Sequence, residues 1–68
     1  MYNKIKSAVI ARGLSMMKFY ELIGIEPSTF MRRVEHNKVT VADVKKIKEV
    51  LQLSREEMLS IFFEGVVA

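Results

Sequence analysis

Residues 14–30 read LSMMKFYELIGIEPSTF and contain the signals for two short helices joined by a tight turn. Ser15 is a suitable N-cap for the first helix. The apolar face of this helix follows at helical spacing: Phe19, Leu22 and Ile23. Gly24 ends the helix by adopting a left-handed conformation, and Pro27 fits the first turn of the next helix, where its missing N–H costs nothing. The turn between the two helices is therefore very short.

One further helix is predicted before this stretch, with Asn3 as its N-cap and Gly13 placed to end it. Its apolar face consists of Ile5, Ala8 and Val9. In the helix that begins at Pro27, Phe30 and Val34 form an apolar pair four residues apart. We expect that face to point into the core.

Two more helices are predicted after a loop in which Asn37 tolerates left-handed geometry. Ser54 stands three residues before Glu57 and matches the capping box that begins a helix, and Thr40, three residues before Asp43, forms a variant of it. The buried stripe of the fourth helix is expected to be Val41, Val44, Ile47, Val50 and Leu51. The apolar face of the fifth is expected to be Met58, Leu59, Phe62 and Phe63. Since no run alternates with a period of two, the pattern predicts an all-α fold, a compact bundle of five short helices.

The composition favours one folded domain over residues 1–68. The chain is 50% apolar and 28% charged, with three glycines, one proline and no cysteine. Without cysteine there is neither a disulfide nor a thiolate metal site, and His36 alone cannot hold a structural zinc ion. The first residues lack the features of a secretory signal, and no apolar run is long enough for a membrane helix. We therefore expect a cytoplasmic protein without a membrane partner.

The basic residues are concentrated in the first half of the chain. Residues 1–38 contain seven lysines and arginines against three glutamates, whereas residues 39–68 contain four against five acidic residues. The net charge of +3 weakly favours polyanionic partners.

The two helices at about residues 15–35 have the helix-turn-helix layout, central in the chain. Read in order, residues 14–30 resemble the Cro and phage-repressor (Xre) type helix-turn-helix family. The family's apolar pattern is matched by Phe19, Ile23, Ile25 and Phe30, and its turn glycine by Gly24. The resemblance covers about residues 3–63 and implies a lambda-repressor-like DNA-binding domain.

A narrower likeness, carried by residues 28–34 and the ending Ile61-Phe62-Phe63-Glu64, is to small regulators of bacteriophages and mobile elements of Gram-positive bacteria. The implied function is a sequence-specific regulator of transcription, a repressor that binds a two-fold operator in double-stranded DNA through the major groove. Two positions depart from the family: Met16 stands where a phosphate-holding glutamine is usual, and Tyr20 where a small alanine is usual. We expect either a wider angle between the two helices or a Tyr20 ring displaced to solvent, with its hydroxyl on a partner.

Helical geometry selects the face that would read DNA bases. If Phe30 and Val34 face the core, steps of about 100° per residue place Ser28, Arg32 and Glu35 on the opposite face. The predicted base-contacting residues are Ser28, Thr29, Met31 and Arg32. Arg32 can donate to O6 and N7 of guanine, and the Thr29 methyl or Met31 can touch a thymine methyl. Glu35 either accepts from a cytosine amino group or repels phosphates, and both readings stay open.

Six residues are predicted to contact phosphates: Ser15, Lys18, Arg33, Asn37, Lys38 and Thr40. Ser15 and Thr40 stand at helix N-termini, whose N–H groups and positive dipole ends suit phosphate oxygens. Arg33 lies near the core edge, so we expect its stem to pack and its guanidinium to reach a phosphate rather than a base. The resemblance implies that the loop with Asn37 and Lys38 lies along the DNA backbone.

No set of residues supports catalysis. No Ser/His/carboxylate or paired-carboxylate arrangement has the partners that such chemistry needs, and no glycine-rich phosphate loop is present. We expect no enzyme, no catalytic or metal-binding residue, no cofactor and no small-molecule ligand.

The C-terminal residues 62–68 are too apolar to be fully exposed. They either pack on the first helix within one molecule or form a two-fold dimer contact through Phe62, Phe63 and Val66. A protein that reads one half-site needs a second copy to reach the next major groove, about 34 Å away. We expect a homodimer, at least on DNA.

Two other functions stay open. One is a protein–protein module that holds another repressor or a polymerase, since Met16, Tyr20 and Met31 are apolar where a DNA reader has room for polar groups. The other is an architectural protein that binds DNA without sequence preference. Repression by occluding polymerase is the simplest mechanism for so small a chain, and activation by contact with polymerase stays open as well.

Overall fold

The computed structural model describes residues 1–63, and all regular secondary structure within them is helical. Five helices follow one another along the chain: α1 Tyr2–Ala11, α2 Met16–Ile23, α3 Pro27–Glu35, α4 Val41–Leu51 and α5 Arg55–Phe62. The predicted all-α bundle of five short helices is confirmed. The longest helix, α4, has 11 residues, and none of the described helices has the length and hydropathy needed to cross a membrane.

The predicted boundaries of α2 and α3 are confirmed. The Ser15 hydroxyl accepts the Lys18 N–H at 3.1 Å and so caps α2. Gly24 follows α2 with a left-handed backbone, φ +69°. Pro27 occupies the first turn of α3, where no intrahelical partner would be available for its N–H. The turn between the helices is therefore three residues long, from Gly24 to Glu26.

Both predicted capping boxes are present. The Thr40 hydroxyl accepts the Asp43 N–H, and the Asp43 carboxylate accepts the Thr40 N–H, each at 3.1 Å. Ser54 and Glu57 form the same reciprocal pair at 3.1 Å and begin α5. Each box satisfies donors that would otherwise lack a partner, which fixes the first residue of both helices.

The prediction that Asn3 caps α1 is wrong. The Met1 carbonyl accepts the Ile5 N–H at 3.1 Å, so the helix already includes Asn3 in its first turn. The first helical residue is Tyr2, which packs against the core, whereas Asn3 is exposed.

Each helix contributes to a single core. Its buried residues include Ile5 on α1, Phe19 on α2, Phe30 on α3, Ile47 on α4 and Ile61 on α5. The rings of Phe19 and Phe30 meet edge to face with centroids 5.9 Å apart. Tyr20 adds a second edge contact to Phe30 at 5.6 Å. Aromatic pairs in this geometry stabilise beyond the area that they bury, so these three rings hold α3 against α2.

Two residues expected in the core are exposed. Val41, predicted to belong to the buried stripe of α4, is 73% exposed, and Leu22, predicted to lie on the apolar face of α2, is 44% exposed. Helical steps of about 100° explain both errors. Val41 lies about 120° around α4 from Ile47, the centre of its buried stripe, and Leu22 lies about 100° from the direction of Ile23 on α2.

The apolar face of α5 also differs from the prediction. Leu59 and Phe63 are exposed, whereas Ile61 is buried. Leu53, in the loop before α5, is buried as well. The helix turns its Ile61 side toward the core, and Leu59, two residues away, therefore faces outward. Phe63 follows the last residue of the helix.

Tyr20 does not move out to solvent as one alternative had it. Its ring is half-buried and packs against the core, at 5.8 Å from the Phe19 ring. The Tyr2 side chain of α1 lies near the Tyr20 hydroxyl. Burial raises the pKa of Tyr20, and the neighbouring Tyr2 hydroxyl raises it further. The bulky residue is thus accommodated by ring contacts within α2 and from α2 to α3.

Candidate nucleic-acid interface

The α2–turn–α3 segment presents one face of α3 outward. Phe30 is buried and Val34 is half-buried against the core. On the other side of the helix, Ser28 and Arg32 are exposed and stand one turn apart. The predicted orientation of α3 is confirmed, because its apolar pair faces the core.

The four predicted base-contacting residues lie within this one helix, but their exposure differs. Ser28 and Arg32 are exposed, whereas Thr29 and Met31, at the flanks of the exposed face, are half-buried. Arg32 has no ion pair with any residue of the described chain. Its guanidinium is therefore available to an external acceptor. Glu35 is exposed on the same side, at the last position of α3.

The loop between α3 and α4 holds three of the predicted phosphate-contacting residues at the surface. Asn37 adopts the expected left-handed backbone with φ +52°. The Lys38 N–H donates to the Arg33 carbonyl at 2.7 Å, which folds the loop back on the end of α3. Asn37, Lys38 and Thr40 are all exposed. The first turn of α4 follows directly, and its positive dipole end adds to the charge of Lys38.

At the other predicted phosphate position, α2 begins with Ser15 and Lys18. Both residues are exposed. The Lys18 ammonium lies 3.5 Å from a carboxylate oxygen of Glu21, one turn further along the helix. Such a surface pair contributes about 0–1 kcal/mol, so it leaves the lysine free to exchange partners.

Arg33 differs from its neighbour Arg32, because its guanidinium turns toward α4. Its Nη1 donates to both carboxylate oxygens of Asp43, at 2.9 and 3.0 Å. The sequence predicts that Arg33 reaches a phosphate, whereas the structure pairs its guanidinium with Asp43. The signal that could have revealed it is Asp43 itself, which stands four residues before Ile47 on the buried stripe of α4, where a carboxylate requires a partner.

No protein-family model, curated protein or solved structure matches the chain. Its function is therefore inferred from its own residues and their geometry.

A second surface is apolar and lies where α5 meets the start of α4. A groove of about 230 Å³ is lined by Met1, Val39, Val41, Val44, Phe62 and Phe63. We call it the C-terminal groove. Of the predicted dimer residues, Phe62 is half-buried and packs against the core, Phe63 is exposed, and Val66 lies outside the described residues. The packing of Phe62 agrees with the intramolecular alternative, and the exposed Phe63 leaves the intermolecular one open.

Arg12 forms a network that sequence reasoning missed. Its guanidinium donates to the Leu51 carbonyl at the end of α4 and to the Ala8 carbonyl of α1. Its Nη2 also donates to both carboxylate oxygens of Glu57, at 3.1 and 2.9 Å. The side chain thus joins α1, α4 and α5, away from α3. Among residues 1–63, no three His, Cys, Asp or Glu side chains lie close enough to hold a metal ion.

Proposed function

We propose that the chain is a sequence-specific regulator that binds double-stranded DNA by placing α3 in the major groove. The observation that carries the proposal is the outer face of α3, where Arg32 is exposed and has no acidic partner in the described chain. The inner face of the same helix is fixed by Phe30. A rigid helix with a free arginine fork on its exposed side is suited to reading base edges.

The proposed base contacts follow from side-chain chemistry. Arg32 donates two parallel hydrogen bonds to O6 and N7 of a guanine, and Ser28, one turn earlier, donates to or accepts from a neighbouring base. Thr29 and Met31 are half-buried, so only their outer methyl groups are placed to touch a thymine methyl.

The proposed phosphate contacts lie on either side of α3 in the chain: Ser15, Lys18, Asn37, Lys38 and Thr40. They combine helix N-termini with exposed basic or amide side chains, and such contacts position a protein on DNA without reading its sequence. The concentration of basic residues in the first half of the chain supports this arrangement.

We propose that two copies bind a two-fold operator. The protein measures 33 × 25 × 19 Å, so one copy covers roughly one half-site, and half-sites are about 34 Å apart. The C-terminal groove, with Phe62 and Phe63, is the proposed contact between the copies. Val66, which the sequence also predicts to lie at this contact, is part of the same proposal. Occlusion of polymerase in the cytoplasm is the proposed mechanism of repression, because it is the simplest one for so small a chain.

Selection from random duplex DNA tests this function. The wild-type protein is compared with Arg32→Ala, Ser28→Ala and a control, Arg55→Ala, which removes the same charge from the exposed start of α5. We expect a two-fold related sequence to be enriched. Arg32→Ala should relax it at one base pair per half-site, at a cost of about 1–3 kcal/mol. Arg55→Ala should retain the full preference.

Other outcomes point elsewhere. Weak, salt-sensitive binding without any preferred sequence would indicate an architectural protein instead. If no sequence is enriched and no DNA is bound, the proposal of a sequence-specific regulator is refuted.

The C-terminal groove also favours a second candidate, a protein–protein module. Val41 and Phe63 are apolar residues exposed on one surface. The sequence also favours this candidate through three apolar residues, Met16, Tyr20 and Met31. That argument is weaker in the structure, because all three are half-buried. Salt separates the two functions, since phosphate binding weakens steeply with salt concentration and an apolar protein contact responds little.

A further inference from the structure

The link between Arg33 and Asp43 joins the two parts of the chain to which the proposed function assigns DNA contacts. Arg33 belongs to α3, next to Arg32. Asp43 belongs to the first turn of α4, next to the loop that carries Lys38. The carboxylate of Asp43 accepts from Arg33 Nη1 at 2.9 and 3.0 Å and from the Thr40 N–H at 3.1 Å.

Asp43 is the one charged residue that is buried among the described residues, with 8% of its surface exposed. A carboxylate removed from water is costly unless hydrogen-bond donors surround it. Arg33 and Thr40 provide these donors from two different elements. The carboxylate receives donors from both elements when the end of α3 lies beside the start of α4.

We propose that Arg33 and Asp43 are positioning residues that set the reading helix α3 relative to the N-terminus of α4. This inference rests on the proposed DNA-binding function and gives Arg33 a role in it. Arg33, predicted to contact a phosphate, instead acts through Asp43. This link allows Arg32 to contact a base while Lys38 and Thr40 contact phosphates of the same DNA.

The pairing has a consequence for salt dependence. A guanidinium neutralised by a buried carboxylate in the same protein displaces few counterions from DNA. An exposed lysine without an acidic partner among the described residues, such as Lys38, displaces about one. Loss of Arg33 should therefore lower affinity without changing the slope of log K against log salt, whereas loss of Lys38 should reduce that slope.

The first experiment uses the free protein. Thermal unfolding is measured for wild type, Arg33→Ala, Asp43→Asn and the double variant. The asparagine can still accept the Thr40 N–H and so preserves the cap of α4. We expect coupling: the double variant should lose less stability than the sum of the two single losses. Purely additive losses would show that the two side chains do not act together and would overturn the inference.

The second experiment measures affinity for the selected operator at several salt concentrations, at a temperature where each variant is folded. Arg33→Ala and Asp43→Asn are each expected to bind about 10-fold more weakly than wild type, with an unchanged salt slope. The double variant should be no weaker than the worse single variant. Arg33→Lys should recover part of the affinity, because a single nitrogen of Arg33 makes both contacts to Asp43.

Lys38→Ala is the matched control, and it should lower the slope by about one. The same lowering by Arg33→Ala would mean that Arg33 touches a phosphate and would overturn the positioning role. Wild-type affinity in Asp43→Asn would overturn it as well. If the wild-type protein binds no DNA, the proposed function fails and this role falls with it. Coupling in stability without the affinity pattern refutes the positioning role alone.

Discussion

Replacement of Phe30 by leucine tests whether aromatic packing holds α3 in place. Phe30 is 1% exposed, and its ring meets Phe19 at 5.9 Å and Tyr20 at 5.6 Å in edge contacts. Each such pair contributes about 0.5–1.5 kcal/mol beyond the area buried. With both pairs lost and a smaller side chain in the cavity, the free energy of unfolding should fall by about 2 kcal/mol. Domains of this size have a total of only about 3–10 kcal/mol.

Thermal unfolding followed by circular dichroism measures this loss. For a domain of this size, 1 kcal/mol corresponds to about 4–8 °C, so Phe30→Leu should lower Tm by roughly 8–16 °C. The control is Leu22→Ala in α2, a residue that the sequence pattern places in the core and the fold leaves 44% exposed. Its expected cost is below about 1 kcal/mol. A loss for Leu22→Ala as large as that for Phe30→Leu would refute the orientation of α2 described above.

Three smaller perturbations test a charge, a turn and the dimer contact. The pKa of Glu57 is lowered by the Ser54 N–H and then by Arg12. A carboxylate whose pKa is lower in the folded than in the unfolded protein stabilises the fold at pH values above its ordinary pKa, about 4.3 for glutamate. This stabilisation is lost as the pH falls below that value, so Tm should decrease there. Glu57→Gln should flatten that drop, and parallel melting curves would contradict it. Gly24→Ala should cost about 1 kcal/mol in urea unfolding. Strain is the cause, since φ is +69° and an added Cβ has nothing within 4 Å; an unchanged midpoint would contradict it. Phe63→Ser should change monomer stability by less than about 0.5 kcal/mol yet abolish two-copy complexes on the operator in sedimentation, and their survival would exclude the C-terminal groove as the contact.

The helix ends after residue 13 could be predicted because their signals are local, whereas the start of α1 has no side-chain cap and was placed wrongly at Asn3. Ser15, Gly24 and the two capping boxes act over three or four residues, and each is found where the sequence places it. Which side of each helix faces the core is harder to predict, because it depends on where the neighbouring helices lie. Val41 shows this, since it is apolar at a permitted spacing but lies outside the contact between α4 and the rest of the core.

The candidate site divides in the same way. The outward direction of Arg32 follows from the i, i+4 pair of Phe30 and Val34 and needs no knowledge of the other helices. The direction of Arg33 depends on Asp43, ten residues away in another helix, and a sequence pattern that treats each helix by itself cannot supply that partner. Sequence reasoning predicted the exposed face of α3 correctly but did not identify Asp43 as the partner of Arg33.

The charge pairing limits how strongly salt should act on DNA binding. Arg12 and Arg33 are neutralised within the protein. Arg32 and Lys38 have no acidic partner among the described residues, and Lys18 has only an exposed one at 3.5 Å. At most three side-chain cations per copy are then available at the proposed interface, so the slope of log K against log salt should be no steeper than about −3 per copy. The slope is obtained from binding isotherms at four or more salt concentrations. A value near −6 per copy would mean that the exposed lysines of α4 also reach phosphates, and that DNA lies across α4 as well as along α3.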